Sequence, residues 1–439
     1  MNQRIFLEGG VFNDEPKLLF DTDPSMSHHN PWYGLKQFGP YDKSKAESIK
    51  IATIVPKTNE NQVNGLINDL TNGTSGFESG YPRYFGCKIE IIKKIIIDTA
   101  ELSDYQKACE DLVSVCDPKD VGLVLIYIPK TEKWEIQSPY YRCKNILASN
   151  GYVSQMVTEK LFDNLYWSYF NIASAMFAKS GYIPWVLKSN YNVDLVIGIS
   201  YSYIIPKNKT ESSTKFVGFV NLFDKYGKWM YMDGSLKVYS KQDIRIHLKE
   251  IVNASIQKYE SYKQTSPNKI MIHYYKKFSQ KEREAIFESI KESYPTLKII
   301  LCSIDDSHNY KLFDNRTNDG SFPRGGYAKI FTDAYLLDTT GDTPISKKRM
   351  GTPKLLLIRL FSNYQRSDEE DMDILYYILG LTKLDWGTVT PSFVREPLSL
   401  QYSKALAYLT SAMNEDEWNK LMDKESPVNP VINKKPWFI

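Results

Sequence analysis

The chain has 439 residues, which is room for two or three domains. Apolar residues make up 42% and charged residues 24%, as in ordinary globular proteins, and the net charge of +3 excludes a bulk electrostatic field as the means of holding a nucleic acid. A nucleic-acid partner therefore needs a local basic groove. The five cysteines include no CxxC pair, which argues against a cysteine-based zinc site or a disulfide framework and favours a reducing, cytoplasmic location.

No segment of the sequence is long and apolar enough for a membrane helix. The longest apolar runs, such as Val121–Ile128, fall far below the ~18 residues that a span needs. Residues 1–10 lack the charged and apolar regions of a signal peptide. We therefore expect no direct insertion into a membrane.

Residues 1–45 are rich in Pro, Gly, His and Asp and contain one short strand-like run, Lys17–Phe20. We interpret them as an N-terminal arm. From residue 46 the pattern becomes regular, with continuous apolar runs alternating with helical spacing. Such a pattern predicts a parallel sheet with helices on both faces over residues 46–185. The predicted strands are Ile49–Val55, Ile89–Ile97, Val121–Ile128 and Val153–Val157, and the predicted helices are Asn61–Leu70, Ser103–Val115, Tyr140–Ser149 and Glu159–Ser180.

A second unit is predicted over residues 186–439. Three successive strands with short turns come first, and a long helix at about 242–262 follows them. Strands and helices then alternate to about residue 413. Three antiparallel strands followed by a helix and further alternation are typical of an RNase H-like fold.

Several short motifs occur in a set order along the chain. They include Gly34-Leu35, Gly39-Pro40-Tyr41, Ala334-Tyr335-Leu336-Leu337, Gly351-Thr352-Pro353-Lys354, Leu381-Thr382-Lys383-Leu384-Asp385-Trp386 and Pro436-Trp437-Phe438-Ile439. Taken together, these motifs resemble the Argonaute family and specifically its MID and PIWI domains. The resemblance implies a Rossmann-like MID domain at 46–185 and an RNase H-like PIWI domain at 186–439. It points to short prokaryotic Argonautes, because residues 1–45 leave no room for N and PAZ domains.

The resemblance implies a pocket in the MID domain for the 5′-phosphate of a guide strand. The family builds it from a Tyr, a Lys four residues later, a Gln and a second Lys, which this chain matches with Tyr140, Lys144, Gln155 and Lys179. Lysines would supply charge, the other two neutral donors, and the Tyr140 ring can stack on the first base. The resemblance also implies a Mg²⁺ ion there, ligated by the C-terminal carboxylate, here that of Ile439.

An RNase H-type nuclease needs clustered carboxylates to hold two divalent cations. Where active PIWI domains carry these ligands, the matching positions here are Ser200, Tyr275 and Gln401. The last lies within the stretch Gln401–Ser403, and the resemblance implies that the segment before it, Pro397–Leu400, is the end of a strand. We therefore expect a chain that is not an enzyme. The alternative hypothesis is an active guide-dependent endonuclease that uses other carboxylates, and the candidates are Asp194, Asp233 and Asp305.

Basic residues in two further segments fall where PIWI loops face a nucleic-acid duplex. We predict that Lys276, Lys277 and Arg324 line the channel for it. The resemblance as a whole implies a sensor of a prokaryotic defence system, with a guide RNA (or DNA), a complementary target DNA and a separate effector, such as an APAZ-type protein, as partners. A third hypothesis is a nucleic-acid-binding scaffold that uses no guide.

Overall fold

The computed structural model describes residues 8–43, 45, 47–132, 135, 137–204, 215–234, 244–315, 317–318, 320–341, 353–390, 394–410, 412–423, 432 and 435–439. They form one sheet of four strands, one of nine strands and a small sheet of three strands. Within these ranges, no helix combines the length and the apolarity needed to cross a lipid bilayer.

The N-terminal arm contains three short strands and one helix. They are β1 (Glu8–Val11), β2 (Leu18–Leu19), β3 (Ser27–His28) and α1 (Pro31–Phe38). The helix begins where a proline with a preset φ follows Asn30, whose side chain accepts hydrogen bonds from the backbone amides of Trp32 and Tyr33.

Four parallel strands form the sheet that the sequence predicts after residue 46. They are β4 (Ser48–Pro56), β5 (Lys88–Ile97), β6 (Leu123–Tyr127) and β7 (Ser154–Val157), in the spatial order β5-β4-β6-β7. The helices between and after them are α2 (Glu60–Asn72), α3 (Gly80–Phe85), α4 (Leu102–Val115), α5 (Pro139–Ser149), α6 (Glu159–Phe162) and α7 (Leu165–Lys179). Both faces of β4 are buried, since Ile51 packs in the core that contains α2 and α7 and Ile54 packs in the core that contains α4 and α5. The parallel sheet with two covered faces is therefore confirmed.

The nine-stranded sheet combines parallel and antiparallel pairs. Its order is β1-β14-β15-β16-β13-β12-β9-β10-β11. The neighbours β9 and β12 and the neighbours β12 and β13 pair in parallel, and the other neighbouring pairs are antiparallel. Strand β8 (Val186–Leu187) directly precedes β9 in sequence but belongs to the small sheet, where it pairs with β2 of the arm. The large sheet contains β9 (Leu195–Ile204), β10 (Lys215–Phe223), β11 (Trp229–Gly234), β12 (Lys269–Tyr274), β13 (Lys298–Asp305), β14 (Gly326–Phe331), β15 (Ala334–Leu337) and β16 (Leu356–Ser362).

Five more helices accompany this sheet: α8 (Ile244–Lys263), α9 (Gln280–Ser293), α10 (Asp368–Leu381), α11 (Leu398–Thr410) and α12 (Glu415–Met422). Helices α8 and α9 cover one face, where Ile256 and Ile286 pack on Ile197. Helices α10 and α11 cover the other face, and their core also includes the C-terminal Trp437 and residues of the four-stranded sheet. The predicted order of three antiparallel strands, a helix and then alternating elements is confirmed, and the two large sheets share one core.

The arm is fixed to the large sheet by backbone pairing and by buried charge. Strand β1 pairs with β14, and β2 pairs with both β3 and β8. Between these strands, a carboxylate oxygen of Glu15 lies 2.8 Å from Arg324 Nε and 3.0 Å from Lys383 Nζ. Burial lowers the pKa of Lys383 to about 8, although Glu15 works in the opposite direction. The domain boundaries at residues 46 and 186 stay predictions.

Two predicted elements differ from the structure. The single helix expected over Glu159–Ser180 is two helices, because Asn164 leaves the helical region at φ −142° and ψ 43°. The segment Pro397–Leu400, interpreted as the end of a strand, opens helix α11 at Leu398. Of the motif Gly351-Thr352-Pro353-Lys354, the first two residues lie outside the described residues.

The Glu15 contacts predict a stability effect. Replacing Glu15 with Gln keeps the shape but leaves two buried cations without a carboxylate, so we expect a loss of about 2–3 kcal/mol in the free energy of unfolding. That is less than the ~3–5 kcal/mol of a fully buried pair, because Glu15 keeps some contact with water. Urea unfolding of E15Q and of the exposed neighbour D14N measures this loss. Equal stability of the two variants would show that the ion pairs of Glu15 do not stabilise the fold.

Candidate phosphate-binding site

Helix α5 places Tyr140 and Lys144 one turn apart on the same face. The ammonium of Lys144 lies 5.5 Å from the centre of the Tyr140 ring and is 2% exposed. It donates to the backbone oxygens of Trp437, at 3.0 Å, and Ile439, at 3.4 Å. The C-terminal segment therefore closes over the helix and supplies the oxygen partners of Lys144.

The second lysine arrives from the end of α7. Lys179 is 2% exposed and donates to the side-chain oxygen of Gln155, in β7, at 2.7 Å. The Gln155 amide in turn donates to the backbone oxygen of Met156. The structure thus brings Tyr140, Lys144, Gln155, Lys179 and Ile439 together, although 295 residues separate Lys144 from Ile439.

Among the described residues, no Asp or Glu side chain pairs with either lysine of this site. The acceptors are the backbone oxygens of Trp437 and Ile439 and the side-chain oxygen of Gln155. Burial lowers the pKa of Lys144 to about 7. Burial, and next the positive charge of Lys144, lower the pKa of Lys179 well below its ordinary value. Two adjacent buried cations that no described Asp or Glu side chain neutralises make a site for an anion.

A third lysine, which the sequence analysis did not single out, lies near Lys179. It is Lys435, which lies beside Gly181, two residues after the end of α7, and burial lowers its pKa. The lysines directly before Pro436-Trp437-Phe438 were the available signal for it. An ion pair between Arg142 of α5 and Glu417 of α12, at 3.1 Å, joins the same helix to the C-terminal region.

A cavity of about 310 Å³ opens beside the Tyr140 ring. It lies between α5 and α11 and has a largely aromatic lining. Its volume is in the size range of a small-molecule site. The lining residues are Thr131, Glu132, Tyr140, Tyr141, Ala405, Tyr408, Leu409 and Phe438.

Two of the three positions expected to have lost metal ligands lie side by side at the end of β12. Ser200 follows Ile199, which pairs with Tyr274, so Ser200 in β9 and Tyr275, directly after β12, lie at the same level of the sheet. Helix α11 crosses β9 there, since the hydroxyl of Ser403 contacts the backbone oxygen of Gly198 at 3.3 Å. Within the described part of the chain, no group of three or more His, Cys, Asp or Glu side chains is arranged to hold a metal ion.

Gln401, the third position, is engaged by an acid that the sequence did not flag as a partner. Its amide donates to a carboxylate oxygen of Asp385 at 2.9 Å. Burial raises the pKa of Asp385. This carboxylate is held by protein donors, since its other oxygen accepts from the backbone amide of Gly387.

Two of the three alternative carboxylates lie far apart. Asp194 precedes β9 and accepts hydrogen bonds from the backbone amides of Asn268 and Lys269, at the start of β12. Asp305 ends β13, which runs parallel to β12. With ~3.3 Å per residue along the strands and ~4.8 Å between strands, about 25 Å separates their backbones, whereas two catalytic cations lie ~3.5–4 Å apart. Asp233 belongs to β11, and its side chain lies outside the described residues.

One predicted channel residue is wrong. Arg324 is buried, and its guanidinium pairs with Glu15 and donates to Thr382 at 2.8 Å and to the backbone oxygens of Leu379 and Thr339. It holds the arm and does not face solvent. Lys276 is half-exposed, with Glu282 at 3.9 Å, and Lys277 is exposed, so their channel role stays a prediction.

No family model matches the chain. Two sequence relatives carry the name Protein argonaute. The one from Cereibacter sphaeroides is 23% identical, over 96% of this chain and 58% of the relative. The one from Aquifex aeolicus is 24% identical, over 84% of this chain and 49% of the relative. The chain spans about half the length of these relatives.

Solved Argonaute structures share the fold. Clostridium butyricum Argonaute bound to a guide DNA and a 19-mer target DNA superposes with a TM-score of 0.74 at 21% identity, over 93% of this chain and 53% of that protein. Drosophila Piwi superposes with a TM-score of 0.73 at 17% identity, over 98% of this chain and 56% of that protein. The predicted fold class, a Rossmann-like domain plus an RNase H-like domain, and the Argonaute resemblance are confirmed.

The buried ammonium of Lys144 predicts a pH dependence. Its pKa in the folded chain, about 7, is below the unfolded value near 10.4, so folding releases a proton between these pH values and stability rises with pH from about 7 to about 10. At about 1.4 kcal/mol per pKa unit, we expect Lys144 to contribute about 4 kcal/mol to that rise. Replacing Lys144 with Met should flatten the profile and stabilise the chain most at pH 6, as urea unfolding at several pH values can measure. An unchanged profile in K144M would contradict the burial of a charge there.

Proposed function

Because the chain is a homologue of Argonaute proteins, we propose that it binds a guide strand by its 5′-phosphate, at the site of Lys144 and Lys179. The observation that carries the proposal is this pair of buried ammoniums, neither of which pairs with a described Asp or Glu side chain. A terminal phosphate has nearly two negative charges and three acceptor oxygens. Its charge would balance the two ammoniums, and its oxygens would accept their hydrogen bonds.

The groups around the lysines suit the first nucleotide of a guide. Gln155 and Tyr140 are neutral donors at the edge of the site, and the Tyr140 ring borders the cavity of about 310 Å³. A base can stack on this ring, because stacking tolerates any base. The phosphate would displace the backbone oxygens of Trp437 and Ile439 from Lys144.

We also propose that Mg²⁺ accompanies the phosphate. The ion prefers oxygen ligands, and the oxygens at hand are those of Ile439 and Gln155. Both accept from lysines in the structure, so the ion fits only with the phosphate oxygens as further ligands. When bound, it would supply positive charge against the phosphate and the Ile439 carboxylate together.

We propose further that the guide-loaded chain recognises a complementary strand without cutting it. Support comes from Ser200, Tyr275 and Gln401, whose neutral side chains cannot balance the charge of two divalent cations. Base pairing would read the target, while the protein contacts phosphates and sugars. Guide RNA and target DNA are the proposed pair. A chain that binds but does not cut needs an output, so we propose a separate effector, such as an APAZ-type protein, in prokaryotic defence.

The first test compares guides with a 5′-phosphate and a 5′-hydroxyl. We expect the phosphate to bind more tightly and Lys144→Ala to remove that preference, with a loss of about tenfold or more, since a charge-assisted contact contributes ~1.5–3 kcal/mol. Lys107→Ala, at an exposed position of α4, is the matched control. RNA and DNA guides are titrated in parallel in a fluorescence assay. Equal affinity for both 5′ ends would sink the proposal.

The second test asks whether the guide-loaded chain cuts. A labelled matched RNA or DNA target is followed over hours with Mg²⁺ or Mn²⁺, and we expect it to stay intact. Ser200→Asp alone should not introduce cleavage, because one carboxylate cannot hold two cations. A product cut at a fixed distance from the guide 5′ end, and lost when the metal is removed, would return the endonuclease hypothesis to first place.

A further inference from the structure

Strand β5 (Lys88–Ile97) forms one edge of the four-stranded sheet, and among the described strands it pairs only with β4. It has ten residues, whereas the other described edge strands of the three sheets have two to six. An edge strand directs every second backbone N–H and C=O away from its sheet, where another extended chain can pair with them. The outer side of β5 is therefore a long row of backbone donors and acceptors that no described strand uses.

Isoleucine side chains make this edge apolar as well as long. Ile91, Ile92 and Ile96 are between 39% and 42% exposed. Paired residues of neighbouring strands share a face of the sheet, and the β4 partners of Ile91 and Ile96, which are Ile51 and Val55, pack in the same core. Ile91 and Ile96 therefore lie on one face. Apolar side chains exposed along an edge strand mark a place where a further strand can bury them.

Lysine side chains give the same edge a positive charge. Lys88, Lys93 and Lys94 are exposed, and Glu90 is the one acidic residue of the strand, so three positive charges and one negative leave +2. Lys94 donates a hydrogen bond to the neutral side-chain oxygen of Asn64 at 3.0 Å. Within the described part of the chain, no carboxylate forms an ion pair with these lysines. A second copy of this edge would bring like charges together, whereas an acidic strand is attracted to it.

A β-bulge divides the edge into two runs. Ile91 and Lys93 pair with consecutive residues of β4, so Ile92 has no partner there. A bulge interrupts the ladder and increases the local twist, so an added strand pairs best with one run. The longer run is Lys93–Ile97, in which two basic residues are followed by three isoleucines. A strand that pairs with this run meets two cations and then three apolar side chains.

We propose that the outer edge of β5, along Lys93–Ile97, binds an extended segment of a partner protein in which two adjacent acidic residues stand beside a run of apolar ones. The segment adds a fifth strand to the sheet, and its backbone pairs with the outward donors and acceptors of β5. Its carboxylates face Lys93 and Lys94, and its apolar side chains cover Ile96. The inference goes beyond the proposed function, because β7, which carries Gln155 of the guide pocket, forms the opposite edge of this sheet.

The test measures the binding of labelled synthetic peptides to the full chain by fluorescence anisotropy. Each probe contains two adjacent glutamates beside three valines, and both orders are made so that parallel and antiparallel pairing are sampled. A control peptide has lysines in place of the glutamates. We expect one acidic peptide to bind, with an affinity that falls as salt is added, and the basic peptide to bind about tenfold more weakly.

Charge reversal at the edge should exchange this preference. For the double variant K93E/K94E we expect about tenfold weaker binding of the acidic peptide and tighter binding of the basic one, because each cross-strand charge pair changes sign. The matched control, K281E/K291E, reverses two exposed lysines of α9, which packs on the large sheet, and it should leave both affinities unchanged. Thermal unfolding of both variants checks that the fold is intact.

Peptides methylated on alternate backbone nitrogens test for strand pairing itself. An added strand turns only one of its two edges towards β5, so methylation of one alternate set should abolish binding and methylation of the other should not. Loss of binding with both sets, or with neither, would show that the peptide is not held as a strand and would overturn the inference.

The remaining outcomes also decide the matter. The inference fails if no acidic peptide binds, if the basic peptide binds equally well, or if K93E/K94E binds as the control variant does. Analytical ultracentrifugation tests for a second copy, and self-association that K93E/K94E alone removes would assign the edge to that copy and not to an acidic partner. The preference for a guide 5′-phosphate should be the same in K93E/K94E and the unsubstituted chain, so failure of the guide titration leaves the peptide result standing.

Discussion

The structure depends on a pair of ammonium groups, those of Lys144 and Lys179, held together out of water. Their side chains are each 2% exposed, and no described Asp or Glu side chain pairs with them. Burial of these charges works against folding, and in this chain the cost is partly relieved by loss of protons, as the pKa of about 7 for Lys144 indicates. An anion bound beside the two lysines would favour their protonated forms and balance their charge.

This constraint explains why the C-terminal segment packs where it does. A buried lysine needs acceptors, and α5, β7 and α7 offer Lys144 no acceptor of their own among its described contacts. The backbone oxygens of Trp437 and Ile439 supply them, and the Trp437 and Phe438 side chains fill the shared core beside them. The pocket thus exists only when both halves of the chain are folded against each other, which couples an anion at Lys144 to the seam between the two sheets.

Much of this could be predicted from local sequence, because continuous apolar runs determine buried parallel strands and the Tyr140–Lys144 spacing determines a shared helix face. The features that local sequence did not predict depend on contacts between residues that are far apart in the chain. Arg324 looks like a solvated loop cation until Glu15, 309 residues away, is folded against it. Asn164 interrupts a pattern that otherwise continues as one helix. The segment Pro397–Leu400 is compatible both with the end of a strand and with the first turn of a helix, and the packing of α11 on β9 decides between them.

The distribution of unbalanced charge also distinguishes the two ends of the molecule. Clustered carboxylates at the ends of β9 and β12 would repel one another without metal, and a chain that carried them would be stabilised by cations there. Ser200 and Tyr275 are neutral, so these two positions contribute no like-charge repulsion for metal to relieve. At the other site Lys144 and Lys179 repel each other, and a bound anion would relieve that repulsion. The repulsion between these two described lysines therefore favours an anion as the ligand of their site, whereas the side chains of Ser200 and Tyr275 give a metal ion no such advantage.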